Sequence, residues 1–268
     1  MADATGFDLK GSAPERYEHY VAPLMAPFVT ALVDAVDLYP GATVLDLACG
    51  TGFAARAAAA QAGPTGRVAG ADLNEGMLKV AVARHPRLYP DIEFTAAPAD
   101  DLPYPDATFD AVLCQQGVQF FPDLDAALRE TARVTRPGGR FAATVWSHLD
   151  DSPYFVAQLR AVERYGTPEA AEFFRTAFTA ADRLTATLAR AGFHDVAGRE
   201  LTFAISLPPL EDYIPGHLSA IPWGQTITET AGEHVLTQAA DTIRAALPAG
   251  TTTFPFTATL VTAVRRPR

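Results

Sequence analysis

The chain has 268 residues, 49% of them hydrophobic, and a formal charge of −10 from 21 Lys and Arg against 31 Asp and Glu. That apolar content supplies a sizeable core and excludes a disordered chain. The acidic balance lacks the basic footprint needed to bind a phosphate backbone or an anionic membrane surface, so neither nucleic acid nor membrane is expected as a partner.

In chain order, residues 1–40 read as a helical cap whose longest apolar stretch, 21–33, is broken by Pro23 and Pro27 and is too short to cross a bilayer. TVLDL at 43–47 is a first strand, and FAARAAAAQA after it is a helix ended by Gly63 and Pro64. RVAGAD at 67–72 is a second strand, followed by a helix with Asn74 as N-cap and His85 near its end. IEFTAA at 92–97, FDAVLC at 109–114 and GRFAATVW at 139–146 are further strands. Between the last two, Leu124, Ala127, Leu128, Ala132 and Val134 fall near helical spacing, and RPGG at 136–139 stops that helix. Helices are expected at 154–165, 168–176 and 180–191, then a strand through about 206. Residues 207–250, with five prolines, Trp223 and two helical patches, read as a lid, and TTTFPFTATLVTAVR alternates like a strand.

This alternation predicts an α/β protein with a doubly wound, mostly parallel sheet and right-handed crossovers. With no internal repeat or flexible linker, 1–268 is expected to form a single domain. Its parts are the cap (1–40), a core (41–147), helices with a sixth strand and lid (148–250), and the last strand (251–268). Cys49 and Cys114 lie in apolar surroundings and suit neither a disulfide scaffold nor a metal cluster, and the N-terminus has no apolar signal region. A cytoplasmic location is therefore expected.

The chemistry is expected in VLDLACGTGFA at 44–54, a strand running into a glycine-rich turn and then a helix. Gly50 and Gly52 permit a tight turn and close approach of a ligand to backbone. Asp46 projects a carboxylate at the strand end, and Asp72 ends the next strand at the spacing that suits a ribose diol. Together they point to a nucleoside-containing cofactor. GTGFAA at 50–55 also satisfies a loose dinucleotide pattern, and Asp72 would suit the ribose of NAD. Asp46, however, would repel a diphosphate and suits a ligand carrying an amino group.

At this point the chain resembles the class I S-adenosyl-L-methionine (SAM) dependent methyltransferases, whose first motif reads two hydrophobic residues followed by D-x-x-C-G-T-G. The likeness continues through ADLNEGML (71–78), LPYPDATFDAVLCQQGVQFFPD (102–123), VTRPGGRFAATVW (134–146) and, in the cap, ERYEHYVAPLMAPF. It implies a seven-stranded Rossmann-like sheet with an antiparallel last strand and a helical cap and lid. It further implies that Asp72 grips the ribose, Leu73 and Met77 pack the adenine, and Tyr17 and Tyr20 close over the methionine end. Asp46, Ala48, Gly50, Gly52 and Gln115 complete the cofactor contacts. Two positions depart from the family pattern. Pro98 stands where many relatives carry an Asp for the adenine amino group, leaving the backbone of Ala99 and the carboxylate of Asp100 for that contact. Gln119 replaces a frequent His, which removes a general base at that place.

The expected reaction is methyl transfer to a small, partly apolar molecule by in-line displacement, where alignment and exclusion of water lower most of the barrier. Gln119, Trp146, Tyr213, His217 and Trp223 are the expected acceptor contacts, and His148 or His217 the base if the acceptor must lose a proton. HLDD at 148–151 suggests a Mg²⁺ site, but the further acidic ligand is missing from Cys114-Gln115-Gln116, so no metal is expected. The expected partner is a small-molecule acceptor, with a homodimer as candidate assembly. A SAM-binding protein that uses the sulfonium charge for rearrangement or cyclisation is the runner-up. An NAD-dependent oxidoreductase ranks third.

Overall fold

The computed structural model describes residues 9–84, 91–232 and 234–267; His85 lies outside them. Its strands are β1 (Thr43–Leu47), β2 (Arg67–Asp72), β3 (Ile92–Ala96), β4 (Phe109–Gln115), β5 (Thr135–Trp146), β6 (Phe193–Ser206) and β7 (Thr253–Arg265). They form one sheet in the order β3-β2-β1-β4-β5-β7-β6. β1 to β5 run parallel, and β7 is antiparallel to both β5 and β6. This is the Rossmann-like architecture expected from the sequence. The strand order reverses between β1 and β4, which opens a crevice at their carboxyl ends.

The helices are α1 (Ala13–Tyr20), α2 (Ala26–Asp34), α3 (Phe53–Ala62), α4 (Glu75–Arg84), α5 (Leu124–Val134), α6 (Pro153–Tyr165), α7 (Pro168–Thr176), α8 (Ala180–Ala191), α9 (Leu210–Leu218), α10 (Pro222–Ala231) and α11 (His234–Ala246). Alternation along each strand gives the sheet two apolar faces. One face carries Val44, Leu113, Ala142 and Trp146 and packs against α2, α3 and the cap and lid helices. The other carries Leu45, Leu47, Val112 and Val145 and packs against α5 and α8. Beyond the end of β5 the β6–β7 pair continues to Ser206 beside Thr253, and Phe254 and Phe256 there pack against Tyr154 of α6. That extension is the platform on which the lid rests.

The local signals act largely as read. The Asn74 side chain accepts from the Met77 N–H at 3.0 Å, and Asp123 accepts from Ala126 N–H at 2.8 Å to open α5. Two segments differ. RPGG ends α5 but does not delay the strand: β5 begins at Thr135, opposite Phe109, and the ladder skips to Arg140 opposite Ala111. Gly138, at φ +77°, turns the excess residues out of the ladder as a bulge. The lid holds three helices rather than two patches, because Pro222 sits in the first turn of α10, where a missing N–H costs nothing. Among the described residues no helix is long and apolar enough to cross a membrane.

Candidate functional site

The loop between β1 and α3 is held by the two acidic residues that precede it and face it. Gly52 at φ +78° starts α3, and the first turn of that helix leaves N–H groups without intrahelical partners. Asp46, 1% exposed, takes one of them: its Oδ2 accepts from Ala55 N–H at 2.7 Å. Its Oδ1 is buried without a hydrogen-bond partner. Burial lifts the Asp46 carboxyl to about 7; the Ala55 hydrogen bond opposes this, Asp72 adds to it and Arg56 opposes it. Asp72 accepts from Gly50 N–H and Asn74 N–H, both at 2.8 Å, so it ties the end of β2 to the glycine loop. Burial raises its pKa against these hydrogen bonds.

A cavity of about 30 Å³ opens on this loop, lined by Tyr17, Ala22, Met25, Asp46, Ala48, Cys49, Gly50, Thr51, Phe53, Ala54 and Gln115. Asp46, Gln115 and Thr144 share one sheet face, because each lies two residues from a member of the same apolar cluster: Val44, Leu113 and Ala142. Gln115 and Thr144 are direct partners in the ladder. Asp46 Oδ1, Gln115 Nε2 and Thr144 Oγ1 are all buried without a partner. Three orphaned polar atoms in a row at the carboxyl ends of β1, β4 and β5 mark a place prepared for a polar ligand.

Of the residues expected from sequence, Tyr17, Asp46, Ala48, Gly50 and Gln115 meet at the cavity. Burial raises the Tyr17 phenol above its ordinary value, with Asp72 and Glu18 adding to the shift. Gly52, Asp72 and Met77 frame the loop from behind; Met77 packs with Leu9, Ala13 and Tyr17. Leu73 is 72% exposed. Ala99 is half-buried and Asp100 exposed, away from the cavity lining. Tyr20 turns from the cavity to α9, where its ring meets Tyr213 at 6.2 Å and its carbonyl accepts from Tyr213 Oη at 2.8 Å.

The acceptor-side residues divide more sharply. Gln119 is buried close to the end of β4. Trp146 packs edge-on against Phe28 and Phe155, and Trp223 edge-on against Phe174. His148 is exposed ahead of a short turn. His217 is 3% exposed, stacked on Tyr213; its Nδ1 lies 2.8 Å from Gln158 Nε2 and 3.2 Å from Tyr154 Oη. An amide nitrogen only donates, so Nδ1 accepts and the ring is neutral with its proton on Nε2. Desolvation lowers its pKa to about 3. This ring is set to hold the lid together and is poorly placed to take a proton near neutrality.

The sequence reading missed Ala22, Met25, Cys49, Thr51, Phe53 and Ala54 in the cavity lining, and Thr144 beside it. Thr144 had a signal, being the one polar side chain within the run Phe141–Trp146. A larger cavity, about 200 Å³, lies at the opposite, amino ends of β4 and β5 and includes Arg133 and Arg265. Those guanidinium groups are already engaged with Glu130 and with the carbonyls of Leu102, Tyr104, Ala132 and Gly192.

Residues 45–143 match the family described as a methyltransferase domain. The ubiquinone/menaquinone biosynthesis C-methyltransferase UbiE of Hahella chejuensis is 43% identical over 119 residues, which is 43% of this chain and 47% of that protein. Over residues 45–143 the chain carries a methyltransferase domain similar to those of the class I SAM-dependent methyltransferases.

It spans about half the length of the curated relatives it matches. Among solved structures, the YcgJ protein of Bacillus subtilis aligns with a TM-score of 0.61 at 20% identity, covering 91% of this chain and 100% of that one. A phosphoethanolamine N-methyltransferase of Haemonchus contortus, solved with SAM, aligns at 0.57 and 18% identity over 90% of this chain and 53% of its own. At these identities both speak to the fold. The family match ends inside β5, so the cap and lid lie outside it.

Proposed function

We propose that the chain transfers the methyl group of SAM to a small, partly apolar acceptor. The observation that carries this reading is the pair of buried, unpartnered atoms Asp46 Oδ1 and Gln115 Nε2 beside a glycine loop with left-handed backbone at Ala48, Gly50 and Gly52. A carboxylate oxygen without a partner fits an ammonium group, and an amide N–H without a partner fits a carboxylate, so the pair suits an amino-acid moiety. Asp46, Ala48, Gly50, Gln115 and Tyr17 would hold the methionine end, and Asp72, whose oxygens retain acceptor capacity, would take ribose hydroxyls. When bound, SAM supplies an electrophilic methyl group on a sulfonium.

The residues of this chain would align the acceptor and keep water out. Tyr17, Ala22 and Met25 cover the cavity from the cap, and the apolar cluster behind them is continuous from α2 to α11. That continuity supports reading cap, sheet and lid as one folding unit. Both cysteines are free and buried, which suits a reducing, cytoplasmic setting.

The test is calorimetric titration with SAM and with NAD, followed by assay for S-adenosylhomocysteine (SAH) in the presence of small phenols, amides and carboxylates. Binding of SAM and acceptor-dependent SAH release are expected. Binding of NAD without SAM would overturn the reading, and SAM binding with acceptor conversion but no SAH would replace transfer by a non-methylating use of the cofactor.

A further inference from the structure

Immediately after β4 the chain makes a strained turn. Gln116 adopts φ +52°, a left-handed conformation that a side chain disfavours, and its N–H donates to Thr144 O at 3.0 Å. The turn abuts the glycine loop: a Cβ on Gly117 would lie 2.7 Å from Ala48 Cβ. Gln116 and Gln119 are 9% and 7% exposed, and Gln119 Nε2 donates to Gln116 Oε1 at 3.0 Å. That bond engages one end of each amide. The other ends, Gln116 Nε2 and Gln119 Oε1, are buried without a partner.

Strain at Gln116 and an unpaired buried atom in each of the two residues weaken the fold and mark a position set for a ligand. The free ends are one donor and one acceptor, both uncharged. Their complement is a group with an acceptor and a donor on neighbouring atoms, such as a carboxamide or a hydroxy-ketone. A carboxylate would satisfy Gln116 Nε2 but set a lone pair against Gln119 Oε1. It would also leave water with, among the described residues, no Lys or Arg lining the cavity on the neighbouring glycine loop to meet it.

We propose that Gln116 and Gln119 are a specificity-determining pair that selects an uncharged acceptor bearing adjacent hydrogen-bond donor and acceptor atoms and rejects its carboxylate counterpart. This rests on the methyl-transfer reading above.

The experiment uses the full chain saturated with SAH and measures binding of matched probes: salicylamide against salicylate, and 2-naphthamide against 2-naphthoate. At least one amide is expected to bind about tenfold tighter than its carboxylate, the size of one lost buried hydrogen bond. Gln116→Leu and Gln119→Leu are expected to bring that ratio within about threefold while SAH affinity and Tm are kept. If the leucine variants fail to fold, Gln119→Glu keeps the shape and, by setting a negative charge where a ligand carboxylate would lie, is expected to widen the preference for the amide. Carboxylates bound as tightly as amides, no binding of any probe, leucine variants that retain the preference or a glutamate variant that narrows it would each overturn the proposal. Failure of the wild type to bind SAH at all would sink the methyl-transfer reading first, and is read separately in the same titration.

Discussion

Asp46 divides its two oxygens between fold and ligand. Oδ2 satisfies a helix N–H, while Oδ1 waits in the cavity wall, and the burial that serves both raises the carboxyl to about 7. A cationic ligand binds the ionised form, so SAM affinity is expected to rise from pH 5.5 to about 7 and then level off, as Asp46 loses its proton. Asp46→Asn removes the charge; its affinity is expected to be about 10- to 100-fold lower at pH 7.5, one charge-assisted hydrogen bond, and flat with pH. A wild-type titration without pH dependence over that range would remove Asp46 from the contact. Gly52 is constrained differently. Its φ of +78° disfavours any side chain, and a Cβ would lie 2.8 Å from Phe94 Cζ and 3.3 Å from Ala81 Cβ. Gly52→Ala is expected to cost about 2–4 kcal/mol in urea unfolding, from left-handed strain plus overpacking. Adding Phe94→Leu should return only the steric part.

At the scale of elements, α1 is a strap between the cofactor loop and the lid. Glu18 pairs with Arg56 at 2.8 Å, and Arg56 donates to Thr51 O at 2.6 Å, which fixes the loop. Arg16 donates twice to Ser219 O just past α9, and the Tyr20 ring lies flush on Gly216, where a Cβ would fall 2.2 Å from Cζ. Gly216→Ala must therefore push α1 off α9. SAM affinity is expected to fall about tenfold, within the usual cost of overpacking, although Gly216 is not part of the cavity wall. Tyr20→Ala in the same chain should recover part of the loss, and unchanged affinity in Gly216→Ala would show that α1 and the loop are not coupled. This strap also shows where sequence reading stops. The strands and sheet-flanking helices were legible because period and caps are local signals, and the glycine loop because its residues are contiguous. Tyr17 and Tyr20 sit three apart on one short helix, and nothing local says that one faces the cavity and the other the lid. The partners of Tyr20 and His217 lie 193 and 59 residues away, in contacts that no spacing rule encodes.

Across the whole molecule, two buried titrating groups oppose each other. Asp46, raised to about 7 from an unfolded value near 3.8, binds more protons folded than unfolded between those values, so its contribution to stability is lost as pH rises from about 4 to 7. His217, lowered to about 3 from 6.5, binds fewer protons folded than unfolded, so its contribution is lost as pH falls from about 6.5 towards 3. Each slope is about 1.4 kcal/mol per pH unit where it operates, and over the shared window from about 4 to 6.5 they cancel. Asp46→Asn is thus expected to gain stability relative to wild type as pH rises through this window. His217→Gln, freed of the histidine term, should lose stability relative to wild type over the same rise. Urea unfolding at pH 4.5, 5.5 and 6.5 gives both slopes. Asp46 sits in the sheet and His217 in the lid, joined by one apolar cluster, so a single cooperative transition should respond to both substitutions. Two transitions, each answering to only one of them, would divide the chain into separate folding units and detach the lid from the core.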